Sequence, residues 1–211
     1  MTAPHDRLRE DPTMADLIDE YGELTLDPAE DFFQRLVVSI LRQQVSMASA
    51  AATRERLFEA VEVTPSGVLA AEKETLREVG LSRQKTDYVR NVAEAFEDGR
   101  LSRTALDGES DEAIREQLTA VTGVGEWTAN MQLLFTFGRE DVFPVGDLGV
   151  RKGMTRLYGI EDRAAMVEYA ERWAPYRSYA TLYCWRVKED IAASVGEVVV
   201  AKVPRQHAPA S

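Results

Sequence analysis

The sequence predicts an all-α protein of two helical lobes with no substantial sheet. Apolar residues recur three and four apart through most of its 211 residues, the signature of a helix with one buried face. Capping residues, some with a proline directly after them, stand before several of these runs, as they do at helix starts. No pair of segments alternates apolar and polar residues in the manner of two half-buried strands.

The elements follow in order. Asp27-Pro28 reads as cap and first helical residue, and Phe32, Phe33, Leu36, Val37, Ile40 and Leu41 then share one face. A second helix covers about 47–61, and Thr64-Pro65 opens a short third by the same logic. ETLREVGLSRQKTDYVRNVAEAF reads as helix, turn at Gly80, helix. Ser110 caps DEAIREQLTAV, a glycine turn follows, and EWTANMQLLFTF resumes the helix. Beyond the loop GREDVFPVGD, helices are expected over 148–157, 161–173 and 177–194. GEVVVAKV reads as a short strand or an extended tail. The chain thus divides into an N-terminal extension (1–26), a helical domain (27–194) and a C-terminal tail (195–211). ETLREVGLSRQKTDYV and EQLTAVTGVGEWTANM echo each other, Leu76 and Val79 matching Leu118 and Val121; any short helix pair can look this way.

Composition removes whole classes of function. Hydrophobic residues make up 45 % and charged residues 29 %, a balance that folds as a globule. No apolar run is long enough to span a membrane, and the polar start MTAPHDRLREDPT shows no secretory h-region, so a cytoplasmic protein is expected. Cys184 is the single cysteine, which excludes an internal disulfide, a zinc ribbon and a four-cysteine iron–sulfur cluster. His5 and His207 lie in the terminal segments, leaving carboxylates, aromatics, hydroxyls, backbone amides or a lysine to carry any chemistry. The net charge of −11 opposes a nucleic-acid partner at first sight, because phosphate binding usually recruits a basic face. Two readings absorb it: acidity confined to a far face (EDFF, AEAFEDGR, DGESDEAIRE), or a surface adapted to a very salty cytoplasm.

LTAVTGVGEWTAN is the sharpest feature. Gly123 and Gly125 flank Val124 between two helices, where glycine permits positive φ and close approach of another molecule. The following helix start leaves amides pointing outward beside a positive dipole end, which suits a phosphate oxygen without any lysine. A plain glycine turn between packed helices would read the same. In FPVGDLGV, Asp147 follows a Pro/Gly loop and starts a helix, where a carboxylate is both a good cap and held ionised.

VTGVGEWTAN together with DVFPVGDLGVRKG resembles the helix-hairpin-helix, Gly/Pro-rich loop and aspartate signature of the HhH-GPD DNA glycosylase superfamily. AERWAPYRSYATLYCW and ILRQQVSMASAAA are similar to its 3-methyladenine DNA glycosylase II (AlkA-type) branch. The resemblance runs from about residue 27 to 190; 25 residues before the first strong helix leave no room for the mixed α/β lobe of the better-known bacterial member. It implies two helical lobes with a cleft between them, double-stranded DNA containing damaged bases as partner, a monomer, and no cofactor, although a monovalent cation at the hairpin is allowed.

Residue by residue, the resemblance makes Asp147 the catalytic carboxylate, stabilising an oxocarbenium-like sugar and orienting or deprotonating water. Thr122, Gly123, Val124, Gly125 and Thr128 become the DNA phosphate clamp. Trp127 and Trp185 line the base pocket, where a cationic alkylated purine gains about 0.5–2 kcal/mol from an aromatic face; Tyr176 and Trp173 belong to the same block. Core packing is the competing role for each tryptophan. Gln44 takes the wedge position that fills the stack when a base is flipped out, where the resembled branch has leucine, with Gln43 assisting; both could instead be solvated residues ending a helix. Arg151 and Lys152 follow Asp147 by one turn, suited to phosphate or to pairing with Asp147. Bifunctional members place a nucleophilic lysine where this chain has Trp127, so base removal without strand cleavage is expected. Removal of alkylated bases is the leading expectation; removal of deaminated or oxidised bases, or a non-catalytic DNA-binding module, are the alternatives.

Overall fold

A computed structural model of the chain describes residues 3–187; its regular elements there are all helices, with no strand among the described residues. In chain order the helices are α1 (Pro4–Leu8), α2 (Pro12–Tyr21), α3 (Phe32–Arg42), α4 (Met47–Ala60), α5 (Pro65–Ala70), α6 (Lys73–Glu78), α7 (Arg83–Glu97), α8 (Arg103–Leu106), α9 (Asp111–Thr119), α10 (Glu126–Phe135), α11 (Leu148–Tyr158), α12 (Arg163–Ala170) and α13 (Arg177–Arg186), with a 3₁₀ turn over Glu171–Trp173. They form two compact units, Pro28–Arg139 and a second made of Met1–Asp27 with Glu140–Ser211.

The central unit is built on α3, whose Phe32, Phe33, Leu36, Val37, Ile40 and Leu41 are all buried. It packs on α7 and α10, and Phe96 meets the rings of Phe32 and Phe33 at 4.9 and 5.2 Å. Each such side chain taken from water contributes about 1.5–3 kcal/mol. Inside this apolar packing the buried Gln132 side chain donates to Ser39 Oγ and accepts from Thr136 Oγ1, so no amide group of that side chain is left unbonded.

Asp27-Pro28 does not start α3. Ala29 N–H bonds Phe135 O at 2.7 Å, the next residues stay outside the helix, and Asp31 supplies the cap by accepting from Gln34 N. Elsewhere the caps are where the sequence places them: Thr64 accepts from Gly67 N, Ser110 from Ala113 N. The two echoing hairpins share a geometry. Gly80 (φ +108°) and Gly123 (φ +106°) each precede a buried apolar residue, Leu81 and Val124, and then the cap of the next helix.

The second unit centres on α13, which packs against α11, α2 and α1. At the α11–α13 crossing, a Cβ on Gly153 would stand 2.3 Å from Cys184 O, so only glycine lets the backbones come this close. Within the stretch 1–26, read from the sequence as an N-terminal extension, α1 and α2 belong to this unit. Asp11 caps α2 by accepting from Thr13 and Met14 N–H, while its other oxygen accepts from Tyr158 OH, Tyr169 OH and Trp173 Nε1. The helix expected over 161–173 begins at Arg163 and tightens into the 3₁₀ turn. The helix expected over 177–194 runs to Arg186; residues beyond 187, including GEVVVAKV and His207, lie outside the described residues.

Candidate active site

In the second unit the chemistry collects around Asp147. Loop Glu140–Gly146 leads into α11, and Asp147 is its N-cap: Oδ1 accepts Val150 N–H at 2.9 Å. The same oxygen accepts the indole N–H of Trp185, from α13, at 2.9 Å. A cap bond and an indole bond from two different helices fix the carboxylate's position and plane. The loop behind it is held by Arg151, whose guanidinium donates to Val145 O and Gly146 O. Ser178 Oγ accepts Val142 N–H, and Arg177 makes a paired contact with Asp141. These bonds anchor both ends of the Pro/Gly loop that carries the carboxylate.

In the central unit the hairpin between α9 and α10 carries Thr122–Gly125. Val124 N–H closes the turn onto Val121 O. Gly123 sits against the Tyr88 ring, where a Cβ would come within 2.3 Å of a ring carbon; positive φ and this contact both require glycine. Gly125 caps α10 with no side-chain hydrogen bond, the feature that leaves a helix start open to an anion. Gln43 Nε2 donates to Gly123 O and to Thr128 Oγ1 at 3.0 Å each, and Asn91 Nδ2 donates to Thr122 O at 3.1 Å.

A carboxylate on a Pro/Gly loop and a glycine hairpin ahead of it are the two parts of one known signature. The family model of the HhH-GPD superfamily base excision DNA repair proteins matches residues 37–176. The chain belongs to that superfamily.

Among HhH-GPD relatives, a putative DNA-3-methyladenine glycosylase of Bacillus subtilis is 27 % identical over 82 % of this chain and 65 % of its own length. DNA-3-methyladenine glycosylase 2 of Escherichia coli is 33 % identical over 77 % of this chain and 60 % of its own. This chain therefore spans less than two thirds of the length of these two relatives. The crystal structure of a DNA-3-methyladenine glycosidase from Bacillus halodurans superposes with TM-score 0.77 at 36 % identity, covering 90 % of this chain and 92 % of that one. The Schizosaccharomyces pombe 3-methyladenine DNA glycosylase, solved with abasic DNA, gives TM-score 0.79 at 27 % identity over 90 % and 98 %.

Within the HhH-GPD frame, the structure sorts the candidate residues. Asp147 and Trp185 are joined directly, and Trp185 is 3 % exposed, so its indole edge serves the carboxylate. Tyr176 stands at the start of α13, 9 % exposed, its ring 6.1 Å from Tyr179. Trp173 is fully buried on Asp11 and belongs to the core. Arg151 is engaged by loop carbonyls, and Lys152 is exposed on α11. Trp127 is part-exposed in the first turn of α10. Val124 and Thr128 are 4 % and 1 % exposed, so a phosphate would meet their backbone, not their side chains. Gln44 is exposed and has φ +57°, a left-handed conformation uncommon outside glycine.

Sequence reading missed Tyr88, Asn91 and the Arg151 brace. A tyrosine and an asparagine on an amphipathic helix carry no local mark of a hairpin thirty residues later. The Asp11 cluster did have one: Asp11-Pro12 is the same cap-and-proline pair read at Asp27-Pro28.

Proposed function

We propose that this protein is a monofunctional DNA glycosylase that removes alkylated bases hydrolytically from double-stranded DNA, with Asp147 as the catalytic carboxylate. One observation carries the reading: the carboxylate is fixed by a helix cap and an indole donor at the head of the Pro/Gly loop. Relatives named as 3-methyladenine glycosylases support the class of base.

The chemistry follows from the charge. An N-alkylated purine carries positive charge and leaves as a neutral base, taking the electron pair of the glycosidic bond. The sugar left behind has oxocarbenium character, which a prepositioned anion stabilises strongly away from bulk water. Water then adds to the anomeric carbon and gives its proton to a base, a role open to the same carboxylate. The helix start at Gly125 and Glu126 holds a backbone phosphate without cationic side chains, which reconciles an acidic protein with DNA. Trp127 stands where a lysine nucleophile would be needed for strand cleavage. The hairpin carbonyls of Val121, Thr122 and Gly123 accept from Val124 N, Asn91 Nδ2 and Gln43 Nε2. Each of these oxygens keeps a second lone pair, on which a monovalent cation could sit, and the reading invokes no other cofactor. A monomer is the simplest assembly for an enzyme that wraps around bent DNA. No described helix is long and apolar enough to cross a membrane, and the reading places the protein in the cytoplasm, on the nucleoid when bound.

Release of methylated bases from alkylated duplex by the wild-type protein and by Asp147→Asn tests this. The expected result is release by wild type, a loss of roughly a hundredfold or more in the variant, and equal duplex affinity. Equal release by both overturns Asp147 as the catalytic group. Binding without release by both points to a DNA-binding module, and release of deaminated or oxidised bases alone reassigns the lesion.

A further inference from the structure

Gln43 and Gln44 are adjacent in sequence and opposite in behaviour. Gln44 is exposed at φ +57°, followed by Val45, which is 43 % exposed. Gln43 is turned inward, and both bonds from its amide nitrogen go to the hairpin, one to Gly123 O and one to the buried Thr128 hydroxyl. An amide nitrogen has two protons, and these two acceptors use both, so Nε2 has none left for a nucleotide.

The loop and the hairpin also share a platform. Along α7, Lys85, Tyr88 and Asn91 lie three residues apart and so on one side of the helix. Lys85 Nζ donates to Leu41 O at the end of α3 (2.6 Å), the Tyr88 ring backs Gly123, and Asn91 donates to Thr122 O. One helix side therefore supports the turn that presents Gln44 and the turn that would hold phosphate. Gln43 closes the circuit between them. A left-handed glutamine persists only where its surroundings over-determine it, and this double attachment supplies the constraint.

We propose that Gln43 is a positioning residue: it locks the Gln44 loop to the hairpin, so that phosphate capture at Gly123–Trp127 sets the point at which Gln44 enters the base stack. This rests on the reading of the hairpin as phosphate clamp and of Gln44 as wedge. The mechanical consequence is specific. Without the lock the clamp still grips DNA, but the wedge is not registered to it, so binding survives while base extrusion fails.

The test compares Gln43→Met and Gln43→Glu, which keep the side-chain length and lose both donors, with wild type and Gln44→Ala. Three quantities are read on a duplex carrying an alkylated base beside 2-aminopurine: duplex affinity, the fluorescence rise on extrusion, and the single-turnover release rate. Circular dichroism melting shows that each variant is folded; two substitutions of different polarity guard against one failing to fold. The expected result is affinity within about threefold of wild type for both Gln43 variants, with the fluorescence rise and the release rate down roughly tenfold or more, as two lost hydrogen bonds allow. A fluorescence rise and rate equal to wild type overturn the proposal. Affinity and rate falling together with extrusion intact overturn it too, making Gln43 a support of the clamp alone. If Gln44→Ala extrudes the base as well as wild type does, the wedge assignment fails, and the proposal with it; if wild type releases no base at all, the failure lies in the proposed function.

Discussion

The indole N–H of Trp185 and the amide of Val150 converge on one oxygen of Asp147, each at 2.9 Å. α13 thereby sets the carboxylate that caps α11. Trp185→Phe keeps most of the ring and removes the donor. A hydrogen bond to a charged group contributes about 1.5–3 kcal/mol, so single-turnover base release is expected to fall roughly tenfold or more, with duplex affinity retained. An unchanged release rate would show that the cap alone orients Asp147.

Trp127 at the lysine position makes a second prediction. Incubation with an abasic duplex and borohydride should trap no covalent adduct, because a Schiff base requires an amine at the anomeric carbon. Efficient trapping, read as a shifted band on a denaturing gel, would overturn the monofunctional assignment.

The α11–α13 crossing turns Gly153 into a test of the site from outside it. The added methyl in Gly153→Ala meets Cys184 O, a backbone atom one residue from Trp185. Overpacking of this kind costs about 2 kcal/mol, visible as a lower urea midpoint. Because the helices that must separate carry Asp147 and Trp185, base release should fall further than the unfolded fraction accounts for. Loss of stability with a normal rate per folded molecule would uncouple the crossing from the site.

Asp11 is predicted to matter for folding and not for chemistry. Asp11→Ala leaves the Trp173 indole and the Tyr158 hydroxyl without their acceptor in the core, and the loss is expected to be about 3 kcal/mol in denaturant unfolding. The folded fraction should release bases at the wild-type rate.

His5 predicts a pH dependence. It is buried, bonds Leu24 O through Nε2, and burial holds its pKa below the ordinary 6.5 despite nearby Glu23. A depressed pKa means that the unfolded chain binds the proton more readily, so this contribution is complete above about pH 6.5 and is lost as pH falls through the lower folded value. Thermal melting should show a drop over that window that His5→Gln reduces. An identical pH profile in the variant would remove His5 from the account.

Much of this was readable in the residues. Thr64, Ser110 and Asp147 cap helices because a cap depends on a side chain and an amide three residues on, a relation local in sequence. Asp27-Pro28 carried the same signal and was overruled, because Ala29 pairs with Phe135 far along the chain and delays the helix to Asp31. Asp11-Pro12 carried it too, and starts a helix whose cap doubles as acceptor for three distant aromatics.

By itself the sequence determined the helical class, the glycine hairpin, the placement of Asp147 at a helix start and the absence of a lysine at 127, since each follows from short-range periodicity, φ preference or residue identity. The tertiary structure decided which way side chains were spent. Trp185 gives its N–H to Asp147, Trp173 gives its own to Asp11, and of two neighbouring glutamines one is bound to the hairpin while the other is left exposed. Those choices rest on donors and acceptors up to 162 residues apart, and only a folded chain brings such partners within the 3 Å reach of a hydrogen bond.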